Sequence, residues 1–186
     1  MKKLIYLAIL PFCFCVVFCG QSAGQSSKQN SKQASEQSRQ SLFKIERNKN
    51  ANIVQYDVNI NSSDSEDFIN KANPLDAYWI MHAKDGKREE ISAFEKKAYG
   101  YKISQNKDGS FNLVLNSVKE KNIKVFVKDG SAKAQIDING KEAYLSKVYV
   151  FAKEGSLIPT VLYYSLTGTD TETGEEVTEK IDVKSN

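Results

Sequence analysis

The segment Arg47-Asn48-Lys49-Asn50-Ala51-Asn52 is dense in ligand-type chemistry, with three asparagines at alternate positions beside an arginine. Each asparagine amide both donates and accepts, whereas the guanidinium only donates. Between two strands, that set suits hydroxyls or peptide groups. Asparagine also makes turns, because it tolerates left-handed backbone and bonds its own main chain. Both readings stand for Arg47, Asn48, Asn50 and Asn52. With Tyr56, Tyr78, Trp79, Tyr99 and Tyr101, the segment would form an aromatic and amide surface for a sugar or a peptide.

Catalytic chemistry has little support in the residue pattern. His82 is the one histidine and follows Tyr78-Trp79-Ile80-Met81. It reads as a hydrogen-bonded histidine near the end of a strand. The chain lacks a nucleophile elbow, a glycine-rich phosphate loop and an H-E-x-x-H pair. Asp170, Glu172, Glu175 and Glu176 surround Thr173-Gly174, and a strand-flanked turn explains them better than a calcium loop with ligands spread over about 12 residues. Asp64, Glu66 and Asp67 read as a solvated serine-rich loop. No catalytic residue, metal site or cofactor is expected.

Cys19 offers a different chemistry, acylation. Lys2 and Lys3 precede fifteen nearly unbroken apolar residues, Leu4 to Phe18, which match the charged and apolar regions of an export signal. That run is short for a membrane span, which needs about 20 apolar residues. Val16-Val17-Phe18-Cys19 resembles a lipobox, although Phe18 replaces the usual small residue. Residues 1–19 are therefore expected to be a lipoprotein-type signal with Cys19 as the lipidated position. Cleavage after Ser22, giving a secreted protein, and retention as an uncleaved anchor are the competing readings. The three cysteines stand at 13, 15 and 19, so a domain beyond them contains no disulfide. Its stability must come from an apolar core, for which its length is adequate.

Residues 20–41 hold seven serines and six glutamines, with no aromatic or branched aliphatic residue. Such a composition cannot bury enough apolar surface to offset the entropy of ordering it. The stretch is expected to be a disordered tether spanning roughly 25–30 Å. Residues 42–186 then form one domain.

The formal charge is +3, and two of those positive charges are Lys2 and Lys3. The only arginines are Arg39, Arg47 and Arg88. A nucleic-acid reader would show a basic stripe and more of the bidentate guanidinium fork. Nucleic acid is not expected as a partner.

The elements that must position these residues read as β throughout. Val54, Tyr56, Val58 and Ile60 alternate with polar residues, the mark of a half-buried strand. The pattern recurs over 111–115, 123–127 and 177–183. Tyr78 to Met81 and Val148 to Phe151 are apolar on both faces and predict central strands covered on both sides. Asn139-Gly140 is a strong hairpin signal, and Asp85-Gly86, Asp108-Gly109, Asp129-Gly130 and Thr173-Gly174 mark further turns. Ser92-Ala93-Phe94-Glu95 is a capping box that starts a helix of about two turns, stopped by Gly100. The expectation is an all-β antiparallel sandwich or small barrel of nine or ten strands with one short helix.

Several blocks carry a resemblance: residues 45–57, Asn73-Pro74-Leu75-Asp76-Ala77-Tyr78-Trp79-Ile80, Glu95 with Ala98-Tyr99-Gly100-Tyr101, Ile138-Asn139-Gly140-Lys141, and Gly168-Thr169-Asp170 with Thr173-Gly174-Glu175. Together they resemble a family of exported bacterial proteins catalogued only as a domain of unknown function. The resemblance implies an exported single-domain protein and supplies no catalytic residues. Among the acids, Asp57, Asp76 and Glu95 fall in its blocks, and a glycan hydrolase would need two such carboxylates across one cleft. The favoured expectation is a lipid-anchored envelope binding or structural module of unknown ligand, periplasmic or at the cell surface, with an envelope glycan or a protein as the candidate partner. A β-barrel carrier of a small apolar ligand and a glycan-directed hydrolase are the alternatives.

Overall fold

A computed structural model describes residues 36–48, 50–62, 67–153 and 160–183. Residues 1–35, with the signal and Cys19, lie outside the described residues, as do Lys49, Asp64 and Glu66. The described chain forms twelve strands: β1 Glu36–Arg47, β2 Asn50–Ser62, β3 Asp67–Ile69, β4 Leu75–Met81, β5 Lys87–Glu90, β6 Tyr101–Gln105, β7 Phe111–Leu115, β8 Val118–Lys128, β9 Ser131–Ile138, β10 Lys141–Lys153, β11 Thr160–Asp170 and β12 Glu176–Asp182. A four-residue helix, α1, spans Lys96–Tyr99 between β5 and β6.

All strands join one sheet in the order β5-β4-β2-β1-β10-β9-β8-β7-β6, with β11 and β12 leading off β10 and β3 on β2. The sheet curls into a half-barrel, so the expected all-β class holds. Two details differ from the expected antiparallel arrangement of nine or ten strands. β1 pairs with β10 in parallel, Ile45 opposite Val148. The short strands β3 and β5 add to the count, and β5 (Lys-Arg-Glu-Glu) has no apolar alternation to reveal it because it lies at a sheet edge.

Turn chemistry sets the hairpins. Asn139 and Gly140 have φ of 55° and 80°, the positive pair that a tight hairpin requires. Asp129-Gly130, between β8 and β9, does the same at 51° and 70°.

The concave face carries the core. Val54, Tyr56, Val58 and Ile60 are fully buried along β2, and Phe43 stacks on Tyr56 with ring centroids 4.6 Å apart. The convex face of β2 is covered too, since Gln55, Asp57 and Asn59 are also buried.

Tyr78 to Met81 and Val148 to Phe151 lie in strands paired on both edges, but neither run is covered on both faces. Tyr78, Tyr149 and Phe151 are half-buried on the outer surface. Their rings find partners there instead. Arg88 lies 3.7 Å over Tyr78, and Phe151 stacks on Tyr163 at 4.9 Å.

β1 begins at Glu36, inside the stretch assigned to the tether. Its first residues pair in register with β2, Glu36 opposite Ser62 and Gln40 opposite Val58. The Gln40 side chain also bonds Gly130 O and Ala132 N at the start of β9. Backbone pairing and amide bonding hold this polar segment, and neither requires the apolar residues that composition looks for.

Candidate functional site

The segment between β5 and β6 crosses the open side of the half-barrel and shapes the site. Ser92 and Glu95 form the expected capping box: Glu95 N–H donates to Ser92 Oγ at 3.3 Å, while Ser92 N–H and Oγ–H donate to Glu95 Oε2 at 2.9 and 2.6 Å. The helix it starts is a single turn rather than two. It ends at Gly100, where a Cβ would run into the Lys96 carbonyl oxygen. Tyr56 Oη–H donates to Tyr99 O at 2.5 Å, and Asn116 Nδ2–H donates to Lys96 O at 2.8 Å. The turn is thus fastened to β2 on one side and to the β7–β8 connection on the other.

A cleft of about 450 Å³ lies between this turn and the sheet. Apolar walls come from Trp79, Phe94, Tyr99, Val150, Ala152 and Val161, and polar groups from Arg47, Asn50, Glu95, Lys97 and Ser117. Its volume falls within the range usual for small-molecule sites. Register explains the convergence. Trp79 faces Val54, Arg47 faces Asn50 and Val150, and Ala152 faces Val161, so five strands turn these side chains to one face.

Trp79 is held on two sides. Its indole N–H donates to Glu95 Oε1 at 3.1 Å, and its ring meets Tyr99 edge-on with centroids 5.1 Å apart. Burial alone would raise the Glu95 carboxyl, but the Ser92 and Trp79 hydrogen bonds outweigh it and hold the group below the usual range. Glu95 is therefore a fixed anionic acceptor, not a proton donor at neutral pH. Burial raises the Tyr99 phenol, with Arg47 beside it opposing and Glu95 adding to the rise.

Arg47, Asn50, Trp79, Glu95 and Tyr99 therefore meet at one cleft. The other nominated residues go elsewhere. Asn48 is structural: its amide bonds Ala152 O at 2.9 Å and Ala152 N at 2.8 Å, fixing β1 to β10. Asn50 Oδ1 accepts the Asn52 N–H at 3.0 Å, the local turn-making role. The Asn52 side-chain oxygen Oδ1 is buried and has no hydrogen-bond partner among the described residues. Tyr56 is wholly inside the core, its phenol raised by burial. His82 opens a 3-10 turn, His82–Lys84, and is exposed, with no side-chain hydrogen bond among the described residues.

Asp57 and Tyr78 lie on the convex face. Asp57 accepts from Tyr78 Oη–H at 2.6 Å and from Gln55 Nε2–H at 3.1 Å. Burial and that carboxylate push the Tyr78 phenol up to about 12. Asp76 stands directly opposite Asp57 and is bound by Arg39 at 2.8 Å and Arg88 at 3.4 Å. The three nominated acids thus separate, two outside the sheet and Glu95 in the cleft. A second cleft, of about 400 Å³, shares Tyr99 and is bordered by Asp76 and Glu90.

Sequence reasoning missed Phe94, Lys97, Ser117, Val150, Ala152 and Val161 in the cleft wall. Phe94 is 61% exposed, and it sits inside the capping box where it could have been noticed. Lys97 shares the helical turn with the cleft residues Glu95 and Tyr99, and the others arrive through long-range contacts that no local pattern announces.

A family model described as "Domain of unknown function (DUF4833)" matches residues 43–180, and the chain belongs to that family. No curated protein and no solved structure matches the chain.

Proposed function

We propose that this member of the DUF4833 family is an exported, lipid-anchored binding module of the bacterial envelope, with Cys19 as the acylated residue and the Trp79 cleft as the ligand site. One observation carries the reading of the site. Five residues drawn from separate sequence blocks line one open cleft, and the chain's single tryptophan is pinned there by Glu95 and Tyr99. Preformed, mostly apolar clefts with a few placed polar groups are the usual form of small-ligand sites.

The anchor reading rests on the signal-like leader and the serine- and glutamine-rich stretch after it. β1 runs roughly 35 Å from Glu36 to Arg47 at about 3.3 Å per residue, so the chain joins the domain at the end of β1 away from the cleft.

The filled core, with Tyr56 and Phe43 stacked in it, gives an enclosed carrier lumen no support. Engagement of Asp57 and Asp76 on the outer face likewise favours binding over hydrolysis.

Intrinsic fluorescence tests the site directly, because all tryptophan emission comes from Trp79. Envelope extracts and fragment mixtures that contain a ligand will shift that emission saturably, and Tyr99→Ala will weaken the response at least tenfold. Emission unmoved by every fraction would end the cleft reading. Incorporation of labelled fatty acid, abolished by Cys19→Ala, tests the anchor separately.

A further inference from the structure

We infer that the Trp79 cleft selects a carboxylate carried on an apolar body, such as a peptide's free C-terminus with an apolar last residue or a short acyl chain. This deepens the cleft reading above and rests on it. The cleft divides by polarity. Phe94, Trp79, Val150, Ala152 and Val161 form its apolar walls, and the donors Arg47, Lys97 and Ser117 are set among them. Arg47 has no carboxylate partner among the described residues, whereas the other two arginines both bind Asp76. Guanidinium groups suit planar carboxylates through paired N–H donors.

A second, independent feature points the same way. Ser117 Oγ is buried and lacks any hydrogen-bond partner among the described residues. A buried hydroxyl without a partner costs free energy unless something bonds it, and an anionic oxygen in the cleft would accept from it. Lys97 lies 5.5 Å from the Phe94 ring, so its ammonium is held at the rim.

Among the described residues Glu95 is the one carboxylate in the cleft wall, and it does not compete for these donors. Trp79 and Ser92 already occupy both of its oxygens. Its charge is engaged by the Ser92 N–H and Oγ–H and by the Trp79 indole N–H, so neither Arg47 nor Lys97 is paired with it among the described residues.

Paired probes test this with the full exported chain in phosphatidylcholine nanodiscs. Octanoate and octanamide form one pair; N-acetyl-phenylalanyl-leucine and its C-terminal amide form the other. Titration followed by Trp79 emission and by calorimetry is expected to give tighter binding of each acid than of its amide, by tenfold or more. That preference should fall with added salt. Arg47→Gln should abolish it, and Lys97→Gln, at an exposed position that leaves the fold intact, should reduce it severalfold. Preference within the peptide pair alone, or within the acyl pair alone, names the source of the carboxylate. Acids and amides binding equally would overturn the anion selectivity and leave the cleft as a binding site. No probe binding at millimolar concentration would overturn the ligand class, and if envelope fractions also leave Trp79 silent, the site itself falls.

Discussion

Trp79 donates its indole N–H to Glu95 Oε1 at 3.1 Å, and the bond ties β4 to the helical turn that borders the cleft. The other Glu95 oxygen completes the capping box with Ser92. One side chain therefore starts the turn and locates the tryptophan. Glu95→Gln keeps the size but loses the charge and one acceptor oxygen, so it cannot serve both partners. We expect a loss of about 1 kcal/mol in stability, with a red shift of Trp79 emission in the folded protein. Chemical denaturation followed by fluorescence measures both. An unshifted native spectrum would show that Glu95 does not position Trp79.

Tyr56 sits wholly inside the core, yet its hydroxyl reaches Tyr99 O at 2.5 Å. Removing only that oxygen takes the donor from the part-buried Tyr99 carbonyl. Tyr56→Phe should therefore cost about 1–3 kcal/mol, more than the loss of an average exposed hydrogen bond. Because Tyr99 lies edge-on to Trp79, the variant should also broaden the Trp79 fluorescence lifetime distribution. Denaturant titration showing full wild-type stability would mean that Tyr99 O finds another donor.

Much of this was legible in the amino-acid order, and the gaps have physical reasons. Period-two alternation marks β2, β7, β8 and β12 because each sets one face against the core. Asn139-Gly140 is legible because the positive φ it needs is a local property. β5 is not, since a four-residue edge strand held by pairing to β4 has no face to bury. Arg47 and Trp79 were recognisable as chemistry-bearing, but only the sheet order could show that Val150 and Val161 stand beside them. The outward placement of Asp57 was equally hidden. Its strand buries both faces, and alternation alone cannot say which face carries a site.

Arg39 and Arg88 both bind Asp76 Oδ2, joining the first half of β1 to β4 and β5 across the convex face. These groups are partly exposed, so the network is worth only about 1 kcal/mol in global stability. Its effect should be local. In Asp76→Asn, amides of residues 38–41 should exchange severalfold faster with deuterium, while those of Phe43 to Arg47 keep their protection. Unchanged exchange at 38–41 would mean that backbone pairing with β2 alone holds the segment.

Acid provides a last test of the Glu95 anchor. Its carboxyl is held below the ordinary value of 4.5: burial would raise it, but the hydrogen bonds from Ser92 and Trp79 more than offset this. A group with a lowered folded pKa stabilises the fold above the unfolded value and loses that contribution as pH falls through the folded one. Trp79 emission should therefore stay constant from neutral pH down to about 4.5 and shift only below it. Glu95→Gln has no proton to gain there, so its emission should be flat over the same window until global unfolding begins. A wild-type shift centred above pH 5, or an identical shift in the variant, would assign the transition to another carboxylate.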